Sequence, residues 1–151
     1  MSEPQRDQDL QDEKDELAKA LPKLTPEQLS DVSPHLIHET YKAGETIIQQ
    51  GDAPDRFYIL IGGKVEIWHE DLDGESHLVA QSVPGEYFGE TGLLQNHPRT
   101  ATVRVSSFDD AEVLALDRQH FEEMMDESKA TEAQVAREMI QRLIDLSDFQ
   151  S

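Results

Sequence analysis

Two charged residues in the segment FGETGLLQNHPRTATV, residues 88–103, have types and surroundings suited to holding a small anionic ligand. Arg99 follows Pro98, and a guanidinium there can grip phosphate oxygens through two parallel hydrogen bonds. Glu90 suits a different atom: a carboxylate only accepts hydrogen bonds, so its natural partner is a hydroxyl such as a ribose 2′-OH. Gly89, before Glu90, allows a backbone geometry or a close approach that a side chain would block. Residues 90–94 are long enough for one helical turn, whose unpaired N–H groups and partial positive charge suit an anion. An anion grip and a hydroxyl acceptor in one loop describe a pocket for a ribose phosphate.

Other chemistries are poorly served. The chain has six His, with His35 and His38 three apart and His69 and His77 flanking a turn, but no His-x-His with a matching Glu. A cupin-like metal site is therefore not expected. No Ser-His-Asp or Cys-His arrangement can be picked out. The pairs Asp109-Asp110 and Glu122-Glu123 read as solvated surface, and Met124-Met125 reads as core.

The run FGE, then apolar residues, then PRTATV, resembles without a gap the phosphate-binding cassette of cyclic nucleotide-binding domains. That family includes catabolite-activator proteins and the regulatory domains of cyclic nucleotide-dependent kinases and channels. The resemblance continues upstream through Ala43-Gly44-Glu45, Gln50-Gly51-Asp52, Phe57-Tyr58-Ile59-Leu60 and Gly62-Gly63-Lys64-Val65. It implies that Phe88, Gly89, Glu90, Thr91, Gly92, Leu93, Arg99, Thr100 and Ala101 bind a cyclic nucleotide, cAMP or cGMP, with no metal and no other cofactor. Arg99 would take the phosphate and Glu90 the ribose, and Gly89, Gly92 and Thr100 would offer backbone N–H groups. Thr91 departs from the family pattern, which usually has an apolar residue there. A hydroxyl at Thr100 is compatible with either base.

The elements around this loop fit that picture. At 151 residues, with 36% hydrophobic content, the chain can bury one modest core. It has no Cys, a polar acidic N-terminus and no apolar run of the ~20 residues a membrane span needs, so a reducing, cytoplasmic setting is expected. A formal charge of -19 argues against binding nucleic acid or an anionic membrane. Residues 1–16 read as an acidic lead, disordered or frayed, with helix near 10–21. Thr25-Pro26-Glu27-Gln28 is a capping box that opens a short helix, completing a helical bundle over 17–35. Over 36–117 the pattern changes to short strands, at 36–41, 46–49, 56–61, 64–70, 77–83, 101–106 and 111–116, separated by Gly-containing turns. Such strands suggest a sandwich or barrel, and the resemblance implies a jelly-roll-like antiparallel β-roll in a mainly β, α+β domain over 17–151. Asp117 caps an expected helix at 118–125, and Thr131-Glu132-Ala133-Gln134 reads as a second capping box. It opens a helix striped with Val135, Ala136, Met139, Ile140, Leu143, Ile144 and Leu146. The resemblance makes these two the hinge and the lid.

The expectation is a non-catalytic sensor that binds a cyclic nucleotide, cAMP favoured and cGMP possible, and signals through its C-terminal helices to an effector protein or domain. A homodimer through the last helix is open. So are a nucleotide-free interaction module and a fragment of a larger transcription factor, channel or transporter.

Overall fold

The computed structural model describes the backbone of residues 3–150 and the side chains of residues 8–142. Helix α1, Glu3–Ala20, starts well before the helix expected near 10–21. Helix α2, Pro26–Val32, opens on the expected capping box: Thr25 Oγ1 accepts from the Gln28 N–H, and the Gln28 side chain accepts from the Thr25 N–H. A single 3-10 turn, Ser33–His35, leads into the strands.

Eight strands follow: β1 Ile37–Tyr41, β2 Thr46–Ile48, β3 Arg56–Gly62, β4 Val65–Glu70, β5 Ser76–Ser82, β6 Tyr87–Phe88, β7 Thr102–Val105 and β8 Ala111–Asp117. They pair antiparallel in two four-stranded sheets, ordered β1-β8-β3-β6 and β2-β7-β4-β5, which is the β-roll. Strand β6 is the one the sequence did not signal. It is two residues long and follows Pro84-Gly85, so no alternation could mark it.

The first sheet is covered on both faces. Alternate β3 residues Phe57 and Ile59 join Leu114 and Leu116 of β8 in a core shared with Leu17, Leu21, Val32 and Phe121 of the helices. The intervening Tyr58, Leu60, Val113 and Ala115 join Val65, Val103 and Val105 in a second core between the sheets. This is why β3 and β8 read as unbroken apolar runs. In β4, Val65 and the partly buried Ile67 point into the inter-sheet core, as their alternation suggested.

Helix α3, Glu90–Gln95, lies between β6 and β7; α4, Arg118–Glu127, and α5, Lys129–Gln150, close the chain. Phe57 holds α4 against the first sheet through Phe121, with ring centroids 5.0 Å apart. The expected cap of α5 at Thr131 is corrected: Ser128 stands before the helix and its Oγ accepts from the Thr131 N–H. Thr131 is fully buried inside the first turn, because a Ser three residues earlier supplies the same capping chemistry. Of the apolar stripe on α5, Val135 and Met139 are buried and Ile140 is half exposed. Leu143, Ile144 and Leu146 lie outside the described side chains.

Candidate functional site

Strand β6 delivers the chain to Gly89 at the mouth of the roll. Gly89 caps α3 with φ +90, a left-handed conformation, and a Cβ there would lie 3.2 Å from the Arg56 carbonyl and 3.3 Å from the Arg99 guanidinium. Only glycine meets both conditions. Gly92 is required for a different reason. A Cβ on it would come within 2.9 Å of the Pro54 ring, so this residue lets α3 pack against the loop between β2 and β3.

Arg99 is only 6% exposed. Its Nη1 donates to the Gly89 carbonyl at 2.6 Å and its Nη2 to the Arg56 carbonyl at 2.7 Å, while Asp55 approaches at 3.5 Å. Burial lowers the guanidinium's affinity for its proton, and Asp55 opposes this. The Arg99 backbone is pinned too. Its N–H donates to Asp52 at 2.8 Å and its carbonyl accepts from Gly51 at 2.9 Å, so the Gly51-Asp52 turn positions the loop. Next to it, Nδ1–H of His69 donates to the Thr100 carbonyl at 2.9 Å. Two carbonyls do not exhaust the five N–H donors of a guanidinium, so Arg99 retains donors for an anion.

Glu90 is 1% exposed. Its Oε1 accepts from Nη1 of Arg142, on α5, at 2.5 Å. Its Oε2 has no hydrogen-bond partner. Burial pushes this carboxyl up and Arg142 pulls it back. A buried, unpartnered carboxylate oxygen is costly unless something completes it, and a ligand hydroxyl would.

Phe88, Gly89, Glu90, Thr91, Gly92, Arg99, Thr100 and Ala101 all line one cleft of about 800 Å³, counting the space open to solvent. Leu93, expected at the site, is instead buried in the core beneath the helices. The far wall comes from residues not anticipated: Ile48, Ile67, Val79, Ala80 and Val103, with Arg142 at the rim. The lining thus combines the charged Glu90 and Arg99 with apolar side chains from the strands, suiting a ligand with a charged sugar-phosphate and a flat apolar ring.

Helix α3 and the loop before β3 are tied to α4. Arg118, first residue of α4, donates from Nη2 to the Asn96 side chain and from Nη1 to the Pro54 carbonyl at 3.2 Å. Asn96 itself ends α3 in a left-handed conformation, φ +52. Among the described residues one cluster has metal-ligating types, Asp71, Glu75 and His77. It surrounds the β4–β5 turn, where Asp71 Oδ1 accepts from two backbone N–H groups.

A family model for the cyclic nucleotide-binding domain matches residues 38–128. The chain belongs to that family. It is 44% identical over 84 residues to a cAMP-dependent protein kinase regulatory subunit of Dictyostelium discoideum, covering 54% of this chain and 25% of the relative. It also resembles the regulatory domain of Toxoplasma gondii PKA solved with cAMP, with TM-score 0.73 and 26% identity over 86% of this chain and 48% of that one. A third likeness is to the regulatory subunit of a cAMP-independent protein kinase A from Trypanosoma cruzi bound to guanosine. There the TM-score is 0.68 and identity 30%, over 74% of this chain and 39% of that one. The chain spans about a quarter of the Dictyostelium relative's length. No helix among the described residues is long and apolar enough to cross a membrane.

Proposed function

We propose that this domain is a non-catalytic sensor that binds a cyclic nucleoside monophosphate, cAMP ahead of cGMP, and transmits binding through its C-terminal helices. The observation that carries the reading is the pairing, in one cleft, of a buried arginine that retains free donors with a buried carboxylate oxygen that has no partner. Arg99 takes the cyclic phosphate. Glu90 Oε2 takes the ribose hydroxyl. The wall of Ile48, Ile67, Val79 and Val103 takes the base.

The transmission route follows from the tethers on α3. A ligand that draws α3 inward also draws Asn96, and Arg118 links Asn96 to α4. Arg142 links α5 to the first residue of α3. Binding therefore shifts the balance between arrangements of the two helices, and an effector outside this chain reads the shift. The test is calorimetry of the purified domain with cAMP, cGMP and guanosine. Binding of either cyclic nucleotide ahead of guanosine supports the reading. Guanosine alone would point to a nucleoside site, as the guanosine-bound neighbour suggests, and no heat with any of them would favour a nucleotide-free interaction module.

A further inference from the structure

Strands β4 and β7 stop pairing where the cleft begins. Their register runs from Val65 opposite Val105 to Trp68 opposite Thr102 and goes no further. Beyond that pair, side chains take over from the backbone ladder. The Gln50 side chain brackets Glu70, accepting from its N–H at 2.8 Å and donating to its carbonyl at 2.9 Å. Thr102 Oγ1 accepts from the Gln50 N–H at 3.0 Å. His69, on β4, reaches across to the chain that enters β7, and its Nδ1 lies 2.9 Å from the Thr100 carbonyl. Thr100 and Ala101 line the cleft, whereas His69 stands behind them.

We propose that His69 is a positioning residue: through Nδ1–H it aims the Thr100–Ala101 peptide, and so sets how the cleft receives a phosphate. A carbonyl only accepts, so the proton of this bond must sit on Nδ1. In the neutral ring Nε2 is then bare, since the bond made by one ring nitrogen decides which of the two carries the proton. The Thr100 carbonyl and the Ala101 N–H belong to one planar trans peptide, so aiming the first aims the second the opposite way. One residue earlier the loop is held differently. The Arg99 N–H donates to the Asp52 carbonyl, and the Arg99 carbonyl accepts from the Gly51 N–H. Arg99 is thus fixed by the backbone of the Gly51-Asp52 turn, but the next peptide is fixed by a side chain. Without His69 that peptide can rotate while β4 and β7 stay paired, because no ladder bond is lost.

The proposal rests on the nucleotide-site reading, and its test has two arms. The first needs no ligand. Nitrogen NMR of wild type at mildly basic pH should show the neutral ring of His69 with its proton on Nδ1. A proton on Nε2 would overturn the proposal, because a bare Nδ1 cannot donate to a carbonyl. The carbonyl-carbon signal of Thr100 and the amide signal of Ala101 should move in His69→Leu, which has no donor. They should stay near their wild-type positions in His69→Asn, whose amide N–H can stand in for Nδ1–H. Equal displacement in both variants would overturn it too.

In the second arm, wild type and both variants are titrated with cAMP and with its Sp and Rp phosphorothioates, in which sulfur replaces one or the other exocyclic phosphate oxygen. His69→Leu should weaken cAMP roughly 3- to 10-fold, the scale of one neutral hydrogen bond, and should change the ratio of the two phosphorothioate affinities. His69→Asn should recover most of both effects. A loss of the same size for all three ligands would reduce His69 to a strut between strands and overturn the proposal. If wild type binds none of them, the nucleotide reading fails, and the tautomer and the Thr100 and Ala101 signals still decide whether His69 aims this peptide.

Discussion

Replacing Arg99 with Ala should cost stability as well as ligand. Its guanidinium donates to two part-buried carbonyls, Gly89 and Arg56, at 2.6 and 2.7 Å. Each such bond to a charged donor contributes ~1.5–3 kcal/mol. Two effects reduce the sum. The cleft lets water reach the freed carbonyls, and removing a buried cation relieves its desolvation cost. The backbone of the loop stays pinned by Asp52 and Gly51, so the damage remains local. A net loss of about 2 kcal/mol follows, near the value of one such bond. For a chain of this size that lowers Tm by roughly 4–8 °C. Ligand at a hundredfold over its dissociation constant should stabilise wild type by about 2.7 kcal/mol. The variant, with binding weakened by roughly 2–5 kcal/mol, should keep at most about 0.9 kcal/mol of that stabilisation at the same concentration. The assay is urea unfolding of both proteins with and without cAMP, with Arg99→Lys as a variant that keeps charge but not the fork. A variant as stable as wild type would refute the role given to the two carbonyl bonds. One that kept the full ligand-induced shift would refute Arg99 as the phosphate group.

Three further outcomes are expected. Gly92→Ala puts a Cβ 2.9 Å from Pro54 and 3.2 Å from the His97 carbonyl, so it should destabilise by about 1–3 kcal/mol and displace α3, seen as a lower Tm and weaker nucleotide binding. Asp117 caps α4: the His120 backbone N–H, and after it the imidazole, hold its carboxyl below the usual range. Because the folded value is the lower one, this contribution is full above the unfolded value of ~3.9 and fades as pH falls through the folded value. Asp117→Asn should match wild type to within ~0.5 kcal/mol at neutral pH and lose less stability in acid, while Asp117→Ala should lose about 1 kcal/mol in urea unfolding at neutral pH. Finally, a chain of formal charge -19 repels a monoanion at long range, whereas the Arg99 contact is buried. Salt screens the first more than the second, so cyclic nucleotide affinity measured by calorimetry should hold level or rise slightly from low to moderate salt; a steep fall would point to outer cations such as Lys64.

The roll and the bundle were legible because their signals are local. The Thr25 box, the Gly-bearing turns and the alternation at Val65 and Ile67 each lie within a few residues. Arg99 and Glu90 were legible through their types and their shared loop, but Arg99 read as a group serving ligand alone. Its bond to the Arg56 carbonyl spans two sheets' worth of chain and leaves no trace in spacing. Leu93 looked like part of the binding loop, yet on this short helix Thr91 and Gly92 line the cleft while Leu93 joins the core cluster that also holds Leu17 and Phe57. The cap of α5 fell at Ser128 because two hydroxyl residues three apart offer the same chemistry, and local pattern cannot choose between them. Arg142 was invisible for a stronger reason. One Arg on a long charged helix becomes a site residue only when that helix folds back across the cleft.

On the proposed reading, Arg118 and Arg142 account for how a loop this small would respond to a ligand. Helix α3 has six residues, bounded by left-handed conformations at Gly89 and Asn96. A helix that short is not stable by itself, since nucleation costs more than a single turn returns. Its position is therefore set by what grips it: Gly92 against Pro54, Arg118 on Asn96, and Arg142 on Glu90. Two of these three grips come from the helices that follow the roll. An element so held moves at little intrinsic cost, and any ligand that adds contacts at Glu90 and Arg99 changes the balance among the grips. The helix dipole and local propensity contribute little here. On the proposed reading, the response would be built from long-range tethers on an otherwise marginal turn, with the signal carried to α4 and α5 rather than into the sheets.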